Sequence, residues 1–140
     1  MSLRNGVAKV LVALASLVLL ACAGLHLLGA EPRLWTALQS SNLSAPLPSA
    51  LRAVFVMVGW DWIVLAAIAW VAVRSATRVR RPILLVCGVG LAVQTLLTLH
   101  WIGWFIGSDL VLAATVLMLA GGWVCPGQTN APNAESAVSR

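Results

Sequence analysis

Residues 51–73 run LRAVFVMVGWDWIVLAAIAWVAV, and this stretch decides the fold. It holds only two charged side chains, Arg52 at its start and Asp61 near its middle. At 1.5 Å rise per residue, a helix of this length covers a bilayer core of roughly 30 Å. Three more stretches have the same character: Val7 to Leu28, Ile83 to His100, and Leu110 to Val124 with some extension upstream. With their flanks they define four spans, residues 7–29, 51–73, 82–102 and 107–125. Bulk composition agrees, since 61% of the 140 residues are hydrophobic and 9% are charged. The expected fold is all-α: an integral membrane four-helix bundle with short loops, one domain over residues 1–125. Residues 126–140 are polar, with Asn, Ser, Ala and Pro, and are expected to form a disordered cytoplasmic tail.

The formal charge of +5 raises the question of anionic partners. Its distribution has a simpler cause. Arg4, Lys9, Arg74, Arg78, Arg80, Arg81 and Arg140 fall on one side of the four spans, and Arg33 and Arg52 on the other. By the positive-inside rule both termini are expected in the cytoplasm, with two hairpins facing out. Membrane lipids are then the expected partners, and nucleic acid is not. Arg74, Arg78, Arg80 and Arg81 are expected to anchor the inner loop at anionic headgroups. The compact unit points to a bacterial inner membrane, as a multi-pass protein. Cys22, Cys87 and Cys125 form no C-x-x-C pair, which argues against a disulfide framework or a dithiol centre.

Leu19-Leu20-Ala21-Cys22 resembles a bacterial lipoprotein processing box behind a basic start. The apolar run does not stop there. Leu25, Leu27 and Leu28 carry it to spanning length, beyond the 7–15 residues of a signal core, so a retained helix is expected. Span one is expected to end at Gly29-Ala30-Glu31-Pro32, because proline cannot continue a helical ladder. Leu34, Trp35 and Leu38 then suggest a short interfacial helix. Pro82 fits the first turn of span three. Gly103 and Gly107 bracket an outer turn, with Ser108 as a cap for span four and Asp109 against its dipole.

Asp61 is the residue least suited to an apolar bundle. An ionised carboxylate at that depth costs about 3 kcal/mol or more, so it should face the interior, be protonated or find a partner. Gln94 and Thr98, four apart on span three, lie at a similar depth, with Thr95 nearby. A hydrogen bond from Asp61 to Gln94 is expected, either as a structural clamp or as a ligand or proton site. His26 and His100 both approach the outer end, and Cys22 precedes His26 by one turn. Together they are candidate metal or haem ligands, without the spacing that would specify one. Trp35, Trp101 and Trp104 mark one interface and Trp70 and Trp123 the other, as an aromatic belt. Trp60, Asp61 and Trp62 spread over about 200° of helix surface, so one of the two tryptophans should face lipid or a second subunit. Gly88, Gly90, Gly121 and Gly122 are placed for close helix packing.

Gly24-Leu25-His26-Leu27-Leu28-Gly29 closes span one and Leu51-Arg52-Ala53 opens span two. This pattern resembles small bacterial four-helix membrane proteins, and the broader likeness is to the DoxX-like group of four-span proteins. That likeness implies an inner-membrane protein without an assigned reaction, and it carries no functional residue across.

No serine–histidine–acid set, phosphate-cradling loop or metal motif converges in the sequence, and no cofactor is called for. The function expected first is a small non-catalytic accessory or interaction subunit, with a homo-oligomer or another membrane protein as partner. One alternative is a proton- or cation-coupled transporter using Asp61. Small multidrug exporters are similar in having four spans and one membrane carboxylate, but theirs is in the first span. The other alternative is a redox subunit holding haem or quinone between His26 and His100.

Overall fold

A computed structural model describes residues 3–75 and 77–125 of the chain. The expected tail, residues 126–140, lies outside the described residues. Helix α1 (Leu3–Gly24) passes into a π-helical segment (Leu25–Ala30) and then α2 (Glu31–Gln39). Helices α3 (Leu47–Arg74), α4 (Thr77–Trp101) and α5 (Ile106–Val124) complete the order, and no strand occurs among the described residues. Four helical stretches are long and apolar enough to cross a membrane: Leu3–Gln39, Leu47–Arg74, Val79–Trp101 and Ile106–Val124.

The inward faces follow one spacing. On α1 the buried positions include Ala8, Val12, Ala15, Leu19 and Cys22, with Ser16 and Ala23 beside them, and on α3 they include Gly59, Trp62, Ala66, Ala69 and Val73, with Ala72 beside them. Steps of three and four alternate, averaging 3.5, which is the seam period of left-handed helix packing. Small residues dominate these faces, while Val10, Leu17, Val71, Val86 and Trp123 are exposed. In water this distribution would be unstable. In lipid, where apolar burial between helices gains little, close packing of small residues is what holds helices together.

Helix α1 packs most extensively on α5 and next on α3, while α4 packs mainly on α5. The α3–α4 seam is the loosest of the four. At Gly121 of α5, an added Cβ would come within 2.8 Å of Val12 Cγ2 on α1, so this approach requires glycine. Gly103 takes φ 92° in the turn between α4 and α5, a conformation that other residues rarely adopt.

Three boundaries differ from the sequence expectation. Pro32 does not end the first helix, which continues to Gln39 with Pro32 in the first turn of α2. The π-helical segment lies directly before it, where the wider turns absorb the break a proline makes in a regular ladder. Pro82 stands inside α4 rather than in its first turn, because α4 begins at Thr77, about one turn earlier. Ser108 is the third residue of α5, and Phe105 is the cap. The Ser108 hydroxyl accepts from the Phe105 backbone N–H at 3.0 Å and donates to the Phe105 carbonyl at 2.6 Å.

Candidate functional site

The unusual residues of α3 sort by helical phase. Successive residues turn by about 100°, so Trp60, Asp61 and Trp62 point to three different sides. Trp62 takes the inward side and is 8% exposed, whereas Trp60 is 57% exposed. Asp61 is also exposed, between Met57 and Val64 on the same outward flank. The expected Asp61–Gln94 hydrogen bond is therefore absent. The Trp62 indole N–H donates to Gln94 Oε1 at 3.0 Å instead. The reason is geometric: Asp61 lies one residue, about 100°, out of phase with the inward side that Trp62 occupies.

A second side chain joins Trp62 from the other side. His26, carried by the π-helical segment, stacks on Phe55 with ring centroids 3.7 Å apart and meets Trp62 edge-on at 5.0 Å. Its Nε2 lies 2.8 Å from the Phe55 carbonyl oxygen, so Nε2–H is the donor. Close approach here depends on Gly59, where an added Cβ would come within 2.7 Å of the Leu27 side chain. His26, Phe55, Trp62 and Gln94 thus form one linked cluster across the first helix, α3 and α4.

The other expected residues are dispersed. Thr98 is half-buried, and its carbonyl accepts from Ile102 and Gly103 at the end of α4. The Thr95 and Thr115 hydroxyl oxygens lie 3.3 Å apart, and each hydroxyl donates to its own helix at 2.8 Å. His100 is exposed and meets Trp101 edge-on at 5.0 Å, so the two histidines have separate partners. Cys22 is buried in α1, and all three cysteines are free. Among the described residues no group of three or more His, Cys, Asp or Glu side chains could hold a metal ion.

The arginines divide in the same way. Arg74 lies over the Trp70 ring at 4.7 Å, Arg81 over Trp123 at 5.7 Å and Arg52 over Trp35 at 4.4 Å. Arg78 lies in the first turn of α4. Arg80 departs from the expected headgroup anchor, being 6% exposed. It falls in phase with Leu84, Cys87 and Leu91, the inward face of α4, and so turns away from the surface. Its guanidinium donates to Asn5 Oδ1 and to the Ser75 carbonyl, tying the start of α1 to the α3–α4 turn.

Sequence reasoning missed the partners of His26 and the ion pair between Glu31 and Arg52. The second was legible in principle, as opposite charges expected at one interface. The first was not, because the π-helical segment sets the phase of His26.

Comparison with protein-family models, with curated proteins and with solved structures returned no match.

Proposed function

We propose that this chain is a non-catalytic accessory subunit of a bacterial inner membrane, with both termini cytoplasmic, that docks a helix of another membrane protein over Asp61. The observation carrying this proposal is the exposure of Asp61 on the most outward-facing span. In α3 only 22% of the apolar window is buried, against 39% in α5. Arg52 and Arg74, each stacked on a tryptophan, are 22 residues apart on α3. That is about 33 Å, close to the thickness of a bilayer core. Asp61 lies roughly 14 Å from the level of Arg52 and 20 Å from that of Arg74. A carboxylate facing lipid there costs about 3 kcal/mol. A lysine or arginine on a neighbouring helix at the same depth would convert that cost into an ion pair. Among the described residues no lysine or arginine of this chain lies at that depth, so a second copy does not supply one from them.

Site-specific photocrosslinking from positions 57 and 64 tests the proposal in native membranes. The expected product joins both positions to one partner segment carrying a basic residue at mid-span, and Asp61→Leu abolishes it. Crosslinks to lipid alone, or products unchanged by Asp61→Leu, would rule it out. The transport alternative draws less support from a carboxylate on an outer flank. The haem alternative draws less from an imidazole whose Nε2 is engaged by Phe55.

A further inference from the structure

A groove of about 390 Å³ runs between α1 and α3, on the flank of α3 away from Asp61. Ala13, Ser16 and Leu20 line it from α1, and Ala66, Ala67 and Trp70 from α3. Trp70 is nine residues from Asp61, about half a turn round the helix, so the two flanks are separate. The small side chains leave the space. Ser16 is 6% exposed, and its hydroxyl is 3.5 Å from the Ala66 carbonyl, so the floor offers little to a polar solute. The lined stretch spans eight residues on each helix, seven steps or about 10 Å.

Both walls end in a cation at the same end of the bundle. Lys9 precedes Ala13 by four residues on α1, and Arg74 follows Trp70 by four on α3. A step of four keeps a residue on the same helix face. The hydrogen bonds of Arg80 to Asn5 and Ser75 place the start of α1 beside the end of α3, so the two cations share one end. Arg74 is already positioned at the groove mouth, 4.7 Å over the Trp70 ring.

We infer that this groove binds one anionic phospholipid, with an acyl chain along the α1–α3 wall and the phosphate at Lys9 and Arg74. An apolar groove would accept any acyl chain, but a pair of cations at one end selects a headgroup with net negative charge. The inference goes beyond the partner proposed at Asp61 and rests only on the membrane-spanning part of that reading.

The test uses the full chain, purified in detergent, delipidated and mixed with equal amounts of phosphatidylglycerol and phosphatidylcholine of identical acyl chains. Native mass spectrometry reads the bound lipid. One retained phosphatidylglycerol is expected. Lys9→Gln and Arg74→Gln should each lower its preference over phosphatidylcholine about fivefold. Arg4→Gln is the control: it removes a cation at the same end, but nine residues and about half a turn from Ala13, and should leave the preference unchanged. Ala67→Leu fills the groove from an exposed position and should reduce retention of both lipids. Inorganic phosphate should not displace the lipid, because it leaves the groove empty. An unchanged preference in the Lys9→Gln/Arg74→Gln double variant overturns the inference, as does full retention in Ala67→Leu. An equal loss in Arg4→Gln also overturns it by assigning the preference to general surface charge. Absence of the chain from the membrane fraction would instead remove the membrane reading beneath it, and Asp61→Asn should leave lipid retention untouched.

Discussion

The α1–α5 and α3–α4 seams join helices of similar length by opposite means. At the first, Ala8, Val12, Ala15 and Ala114 are fully buried, and Gly121 sits close against Val12. No side-chain hydrogen bond crosses it among the described residues. At the second, contact is least extensive, a single Trp62–Gln94 hydrogen bond crosses, and Gly90 faces open space. Shape alone holds one seam, while one polar bridge spans the other. A seam held by shape tolerates no added volume, whereas a seam held by a bridge leaves room beside it. The exposed Asp61 belongs to the helix on the roomy side.

Volume gives the largest contrast. Gly121→Leu should destabilise the bundle by about 3 kcal/mol, because a side chain must be forced between α1 and α5. Gly90→Leu should change stability by less than about 0.5 kcal/mol, since nothing lies within 4 Å of its added Cβ. Equilibrium unfolding in mixed detergent micelles measures both, and equal costs would dissolve the distinction. The next effect is the bridge. A double-mutant cycle of Trp62→Phe with Gln94→Leu should return a coupling of about 1 kcal/mol, within the range of membrane hydrogen bonds. A coupling near zero would leave the α3–α4 seam without its fastener. The smallest effect belongs to α4–α5. Thr95→Val with Thr115→Val should couple by no more than about 0.6 kcal/mol, because each hydroxyl already donates to its own helix. Coupling above that of the Trp62–Gln94 pair would reverse the ranking.

The four spans were legible because length and composition suffice to find them. The inward faces were not. Outward-facing and core-facing positions are both apolar, so no polar stripe marks the phase of α3 or α4. Asp61 shows the consequence: a rule that keeps charge away from lipid turned it inward, while the seam of small residues and Trp62 turned it out. Arg80 erred in the opposite direction. Arg78 and Arg81 flank it in sequence, but its phase matches the buried Leu84 and Cys87. Three of the five tryptophans expected at an interface, Trp35, Trp70 and Trp123, each meet an arginine, which their sequence spacing did not announce. The cluster around His26 stayed hidden because its phase is set by a π-helical segment, which apolar residues do not announce.

The pairing of α1 with α5 also has a consequence for synthesis. Val12 and Gly121 meet in the finished bundle but are made 109 residues apart. At 5–20 residues per second, that is an interval of about 5–20 s. Throughout it the alanine face of α1 has α3 as its only neighbour on one side and no lasting neighbour on the other. Of the described helices, the last one made is the one that packs most extensively on the first. A truncated chain lacking α5 would leave Ala8 and Val12 without the Gly121 surface that covers them.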